Sequence, residues 1–584
     1  MKVNMKQLLC LIAVLAILPL SAVCEDTTTA SYEIEYDDYI KFHWKGDVTS
    51  NSVTFKVFPS LTKINSDQYT NSFIVIYTKA TDNTVTFVQA QLLTYDATAD
   101  ADYPVGTLTV TGLTASIQYY YCFVFGTTTT APTSAEFSAL YPSGDSSMSG
   151  EEFSFTTHAL ALTKNSFTFG VGCCAQTNST NEVFDYLTAL NLDFFVHTGN
   201  MHYESISTDN ATLYYMAYNN VFTSSKQKTF YEQTPIVYAW DEYDYGTEDS
   251  NGNSVSRPAA TTAYKRFVPT TNLKAAFPTD DSSNSGPTAT TPTSSTPGFQ
   301  TYDSTSTGDY GIFRSFLIGR CMFILLDLRS FKDITANDIL GSSQLSWLNN
   351  QLLYASVNSN IRQIFLISSL PWNNKASKTE WTTYASTQTN VHNWIVSYIN
   401  GTSSSVKQKV MLLGGGPSML AFDDGTNNAN GKFPVVQAGA LDQTASCAGG
   451  SYSHGLVTGR QQYGVITVTD DGTDTICVKV NLTRTTGTPL IYYDSCATST
   501  AITQSTKTCP ASLISTITDY VSGGSWVWFI LIMVVIFIIV AVVLYKVWLV
   551  YKQRRQDAAN EGEENHEYIE MSESKKKQKS DLVL

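Results

Sequence analysis

Charge is scarce in this chain. Only 15% of its 584 residues are Asp, Glu, Lys or Arg, and Lys+Arg (36) fall short of Asp+Glu (51). The formal charge of −15 argues against nucleic acid, and against anionic membrane surfaces, as electrostatic partners. Histidine is rarer still, at seven residues, which leaves few imidazoles for metal or acid–base work. One loop shows the shortage at close range. Residues 415–425 read GGPSMLAFDDG and follow an apolar run, KVMLL. A strand, a glycine turn and small polar residues can carry catalytic groups to the end of a sheet. Yet this turn holds no His, carboxylate or Cys before Asp423 and Asp424.

Long apolar runs, by contrast, are present near both ends. Residues 1–24 carry Lys2 and Lys6, then LLCLIAVLAILPL, with Ala22 and Cys24 before Glu25. This is the pattern of a secretory signal peptide. The run WVWFILIMVVIFIIVAVVLY, residues 526–545, has no charge and the length of a bilayer-spanning helix. Trp526, Trp528, Tyr545 and Trp548 flank it, and Lys546, Lys552, Arg554 and Arg555 follow, so the C-terminal side is expected to be cytosolic. The lipid bilayer is therefore an expected partner, in a type I, single-pass arrangement at the plasma membrane or an endomembrane. Sequons at Asn178, Asn210, Asn400 and Asn481 fall in the exterior part and are read as glycosylation sites. Eight cysteines follow the signal, and an oxidising lumen favours disulfides. Proximity suggests the pairs Cys447–Cys477 and Cys496–Cys509. The tail, residues 546–584, runs acidic (EGEENHE) and then basic (KKKQK), so no folded domain is expected there. Within it YIEM, from Tyr568 to Met571, resembles tyrosine sorting signals read by clathrin adaptors. On that reading Tyr568→Ala raises surface abundance, and unchanged abundance would remove the idea.

The exterior divides by pattern. Residues 25–158 hold short alternating runs, among them SVTFKVF, SFIVIYT and YYYCFVFG, separated by turn residues. They predict a small β-sandwich, and LTVTGLTASIQYYYCF (108–123) resembles a fibronectin type III signature. Across 159–495, apolar strands such as FTFGVG, LDFFVHTG, PIVYAW, FILLDL and IFLISSL alternate with helical stretches such as NEVFDYLTAL. That is the signature of an α/β layered core, in which ligands bind at strand ends. Residues 275–308 are a low-complexity insert predicted on the surface. A stalk, 496–525, precedes the span.

The strand ends carry a resemblance. GCCAQT (172–177), HTGNMHYESI (197–206), VYAWDEYDYGTED (237–249), LLDLRSF (325–331) and LLGGGPSMLAFDDG are together, and in this order, similar to the PhoD-like alkaline phosphatase/phosphodiesterase family of metallophosphatases. SRPAATTAYKRFVP, LGSSQLSWLNNQLL, SSLPW and GGSYSHG match as well, and the likeness spans nearly all of residues 30–490. It implies a four-layer α/β/β/α metallophosphatase-like domain after the sandwich. It also implies calcium, iron or another divalent cation held by Asp, His, Asn and Cys, which lowers the pKa of a bound water to near 7.

Carried over residue by residue, the implied site is degenerate. The family's G-S-C reads Gly172-Cys173-Cys174 here, so Cys174 keeps the ligand position. Its G-D reads Gly199-Asn200, an amide in place of a bridging carboxylate. Its W-D-D-H-D-Y-G reads Trp240-Asp241-Glu242-Tyr243-Asp244-Tyr245-Gly246, so the His is Tyr243, a phenol protonated near pH 7. Its G-D-x-H reads Gly415-Gly416-Pro417-Ser418, so Gly416 and Ser418 replace both functional groups. Of the histidines, only His197, His202 and His454 fall in matched stretches, and none substitutes for a missing ligand. Without metal, drawing hydroxide from water of pKa about 15.7 at neutral pH costs roughly 12 kcal/mol. Cys174, Asn200, Asp241 and Asp244 are the expected remnant metal set; Asn200, Asp241, Glu242, Asp244 and Glu248 would suit a calcium ion, the alternative being solvated carboxylates on a loop.

Three functions stay open: a phosphatase-like exterior that no longer catalyses and binds a ligand, glycan or surface protein; a hydrolase with an altered metal site; and a structural surface-coat protein. If the cleft keeps the family shape around Trp240, Arg329 and Trp372, restoring Asn200→Asp, Tyr243→His, Gly416→Asp and Ser418→His together is expected to recover metal binding.

Overall fold

The computed structural model of the chain describes residues 32–497, apart from 68, 97–99, 143–151, 271–310, 374–379, 400–408, 429, 445, 448–449, 451 and 486, and residues 544–546, 548–550 and 552. Residues 1–24, expected to be a signal peptide, the insert 275–308, the expected span 526–545 save Leu544 and Tyr545, Asn400, Cys509, Tyr568 and Met571 lie outside the described residues. Among the described residues, no helix is long and apolar enough to cross a membrane.

The fold is mixed α/β and rich in sheet. The consecutive apolar residues of Phe167–Gly172, Phe194–His197 and Ile236–Tyr238 form neighbouring parallel strands. They sit in the middle of a ten-stranded sheet. A seven-stranded sheet contains Cys321–Leu325, Gln363–Ser368, Lys409–Gly414 and Val435–Gln437, again mutually parallel. Side chains alternate along these strands. Phe323, Leu325, Phe365, Ile367, Met411 and Leu413 pack toward Phe169, Val171, Phe194 and Val196 of the first sheet. Their neighbours Met322, Ile324, Ile364, Leu366, Val410 and Leu412 pack with Trp347, Leu348 and Leu352 of the helix Gly341–Val357 and Val391 of Ala385–Trp394. Both faces of the second sheet are thus covered, which is why its strands read as unbroken apolar runs. Ring contacts bridge the sheets, Phe169–Phe365 at 5.3 Å and Phe194–Phe323 at 5.6 Å.

The N-terminal strands differ from a separate sandwich. Tyr32–Ile34, Asn71–Lys79, Val85–Leu93, Gln118–Gly126 and Phe153–Thr156 form a five-stranded sheet. The other strands, Ile40–Gly46, Val53–Pro59, Tyr95–Asp96 and Val105–Val110, belong to the ten-stranded core sheet instead. The junction is a parallel pairing of Gly46 with Ile236. It needs a glycine, because a Cβ at Gly46 would lie 2.7 Å from the Ile236 carbonyl oxygen. Ile40–Gly46 is buried on both faces. Phe42 stacks on Phe222 at 4.2 Å, and Trp44 Nε1 donates to the Phe267 carbonyl at 2.7 Å. On the opposite face, His43 Nε2 lies 2.7 Å from the Tyr121 hydroxyl.

The disulfide expectation is also corrected. Cys477 is bonded to Cys496, which excludes both Cys447–Cys477 and Cys496–Cys509. The cause is register. Strands Cys477–Arg484 and Pro489–Asp494 are antiparallel, with Lys479 opposite Asp494, so Cys477 and Cys496 face each other just past that pair. Cys447 is disulfide-bonded as well.

Candidate functional site

Parallel strands deliver the turns after them to one edge of each sheet. The structure brings Cys173, Cys174, Asn200, Asp241 and Gly416 together there. The Cys174 amide donates to the Gly199 carbonyl at 3.1 Å, and the Ala175 amide to the Asn200 carbonyl at 3.0 Å. Cys174 Sγ lies 3.5 Å from the Gly416 carbonyl oxygen, across from the other sheet. Close packing demands unusual backbone. Gly199 sits at φ +112, and a Cβ there would fall 2.3 Å from Asp241 Cβ. Asn200 follows at φ +53, a conformation that Asn tolerates better than most residues.

The two retained aspartates are fully committed to the protein. Asp244 works as a backbone clamp. Its Oδ2 accepts from the Asn200 amide at 2.5 Å and the Asp241 amide at 2.9 Å, and its Oδ1 accepts from the Met201 amide at 2.7 Å. Burial pushes its carboxyl up to about 7 against these donors. Asp241 is buried against an arginine. Arg329 Nε donates to Asp241 Oδ1 at 2.8 Å, Arg329 Nη2 donates to the same oxygen, and Arg329 Nη1 donates to the Ser250 carbonyl at 3.2 Å. Neither residue reaches solvent. Burial raises the Asp241 carboxyl to about 6, with the Arg329 guanidinium pulling the other way. The second oxygen of Asp241 takes a 3.4 Å contact from Asn200 Nδ2, while Asn200 Oδ1 accepts the Tyr243 amide at 3.0 Å.

This arrangement does not fit the predicted calcium or transition-metal set. A cation needs oxygen lone pairs turned toward a common centre. Here those of Asp244, Asp241 and Asn200 point at amides and a guanidinium. Glu242 Oε2 accepts from the Asp249 amide at 3.1 Å, and Glu248 is exposed. Among the described residues, no group of three or more His, Cys, Asp or Glu side chains is arranged to hold a metal ion.

The loop 415–418 is shaped around small residues. A Cβ on Gly415 would meet Thr198 Oγ1 at 2.4 Å. Gly416 has φ +91, and its Cβ would lie 2.9 Å from the Ser369 carbonyl oxygen. Ser418 is buried, its amide donating to Ser446 Oγ at 2.8 Å. Asp423 and Asp424 close their own turn and do not reach the cleft. Asp423 Oδ1 accepts the Gly425 and Asn428 amides, and Asp424 Oδ1 accepts from Thr426 and Ser453. His197 and His202 sit among aromatic rings, and burial pushes both down to about 3.

Two residues escaped the sequence reading. Tyr203 leans on Tyr243, ring centroids 4.7 Å apart, and packs with Cys173 and Cys174. Lys332 is buried near Asp241, Glu242 and Asp249, and burial lowers its ammonium to about 8. Neither sits at a motif position with a metal role, so only the fold reveals them. Of the sequons, Asn178 and Asn210 are exposed. Asn481 is half-buried within a strand, its Oδ1 shielded and unpartnered.

No protein-family model matches the chain, and no curated protein matches it. Among solved structures, the chain is similar to "Structure of PhoD", at 15% identity and a TM-score of 0.49, over 80% of this chain and 94% of that one. It is also similar to the purple acid phosphatase PPD1 from yellow lupin (Lupinus luteus) seeds, at 11% identity and a TM-score of 0.47, over 78% of this chain and 73% of that one. At these identities the likeness is one of fold alone.

Proposed function

We propose that this chain is a single-pass surface glycoprotein whose exterior has a PhoD-like build but performs no phosphoester hydrolysis, and acts by binding. One observation carries the reading: Tyr243, Gly416 and Ser418 stand where the resemblance implies metal-binding groups, and the oxygens left at the site, of Asp244, Asn200 and Asp241, are bonded to backbone amides and to Arg329. A fixed guanidinium there neutralises the charge that would otherwise attract a divalent cation. It cannot exchange with solvent or lower the pKa of a water as a metal does. The remaining groups at the strand ends supply no activated nucleophile. What the cleft offers instead is aromatic surface from Tyr203 and Tyr243, both partly exposed. Such rings combine apolar contact with a hydroxyl and are common in recognition surfaces.

The test is metal analysis of the purified full-length chain, together with hydrolysis of p-nitrophenyl phosphate and its bis-ester. The expected result is no stoichiometric transition metal and no turnover above a no-protein control. A stoichiometric metal accompanied by turnover would overturn the proposal in favour of an altered hydrolase site.

A further inference from the structure

We infer that Cys173 and Cys174 are joined to each other as a vicinal disulfide in the mature protein. Their sulfurs lie 2.9 Å apart, about 0.9 Å beyond a disulfide bond of about 2.05 Å and inside ordinary sulfur–sulfur contact. Adjacent side chains on extended backbone point to opposite faces, so neighbouring sulfurs meet only where the chain bends sharply. Cys174 supplies that bend at φ +67, a region costly for a residue with a Cβ. The bend is held from both sides. The Cys174 amide donates to Gly199, and its carbonyl accepts the Asp442 and Gln443 amides at 3.2 and 3.0 Å. Both cysteines are fully buried, and Gly439 packs close enough that a Cβ there would stand 2.7 Å from Cys173 Sγ. In the structure both are free thiols; Cys174 Sγ meets Cys173 Sγ at 2.9 Å and the Gly416 carbonyl oxygen at 3.5 Å, and a thiol is only a weak donor in such contacts. Elsewhere in the chain Cys477 and Cys496 are joined, and the inference rests on the surface location proposed above, reached through a compartment where disulfides persist.

The step balances as thiol–disulfide exchange on the nascent chain, before the pair is buried. One thiolate attacks an oxidant disulfide and releases its first thiol. The neighbouring thiolate then attacks the mixed disulfide and releases the second. The chain loses two protons and two electrons, and the oxidant disulfide becomes two thiols. The product removes Cys174 as a thiolate donor. Failure of this inference would leave the roles of Asp241 and Asp244 untouched.

The experiment uses the full-length chain, quenched in acid, denatured and labelled with N-ethylmaleimide at mildly acidic pH without reductant, then digested for mass spectrometry. The peptide holding both residues is expected unlabelled and lighter by two hydrogens, and to take two labels after reduction. Cys321, a buried thiol, should label without reduction and serves as the control. Labelling of either Cys173 or Cys174 before reduction, or a link from either to a different cysteine, would overturn the assignment.

Discussion

Replacing Arg329 by Met strips the cation from a carboxylate that has no water to turn to. Met keeps the side chain's apolar bulk, so the loss is electrostatic and not a cavity. Arg329→Met removes the donors that Asp241 receives from Nε and Nη2 and the donor to the Ser250 carbonyl. Breaking a buried ion pair from one side costs about 3–5 kcal/mol, because the survivor keeps its desolvation penalty. Asp241 has one escape, which is to bind a proton. Its carboxyl already titrates near 6 beside the guanidinium, and without it the value rises further. The folded variant therefore holds a proton that the unfolded chain, near 3.9, releases. Its deficit should shrink as pH falls from 8 to 6, by up to about 1.4 kcal/mol per pH unit. Adding Asp241→Asn removes the charge altogether. The double variant should regain about 2 kcal/mol over Arg329→Met at pH 8 and lose the extra pH dependence. Urea unfolding followed by tryptophan fluorescence, on parent, both singles and the double at pH 6 and 8, completes the cycle. An Arg329→Met protein within 1 kcal/mol of the parent at pH 8, or a deficit that the second change fails to relieve, would refute the reasoning.

The quadruple restoration Asn200→Asp, Tyr243→His, Gly416→Asp and Ser418→His is now expected to bind no more divalent metal than the parent. Its Gly416 change places a Cβ 2.9 Å from the Ser369 carbonyl at φ +91, and Arg329 still holds Asp241; two equivalents of metal by mass spectrometry would contradict this. Acid stability has opposing parts. Burial lowers His158, His197 and His202 to about 4, 3 and 3 in the fold, so their contribution is complete above about pH 6.5 and is lost progressively as pH falls from there through the folded values. Glu232 and Asp244, both raised by burial to about 7, work the other way, adding stability as pH falls from 7 toward 4.5. The melting temperature should change little between pH 7 and 5 and drop steeply below about 4.5; a steep fall already at pH 6 would show that the carboxyls are not protonated in the fold. Cys477→Ser with Cys496→Ser opens a loop of 19 residues, worth about 3 kcal/mol by chain entropy, and an unchanged urea midpoint would argue against it.

The sequence made some of this legible and hid the rest for physical reasons. The strand-end turns at Cys174, Asn200, Asp241 and Gly416, which the sequence places in separate stretches, lie side by side in the structure, since a parallel sheet gathers its C-terminal turns. The two-sheet layering could not be read from periodicity, because Phe323 and Ile324 are both buried, on opposite faces. The claim on Asp241 was out of reach as well: its arginine lies 88 positions away, and no spacing rule joins them. Disulfide pairing by proximity failed because strand register, not distance along the chain, sets which cysteines meet. The N-terminal strands alternated as a sandwich should, yet the apolar face of Ile40–Gly46 was consistent with either sheet.

The shared sheet has a consequence for how the chain is made. The strand Ile40–Gly46 leaves the ribosome long before Ile236, its parallel neighbour through Gly46. Until that later segment arrives, one edge of the strand stays open, a template for pairing with another chain. Vectorial synthesis therefore cannot finish the N-terminal part first and the core second. The pairing closes a long loop, which slows folding, and the waiting intermediate displays Phe42 and Trp44 without Phe222 and Phe267 to cover them. Residues 25–158 expressed alone should inherit that intermediate as a permanent state, and chaperone demand should peak while they wait.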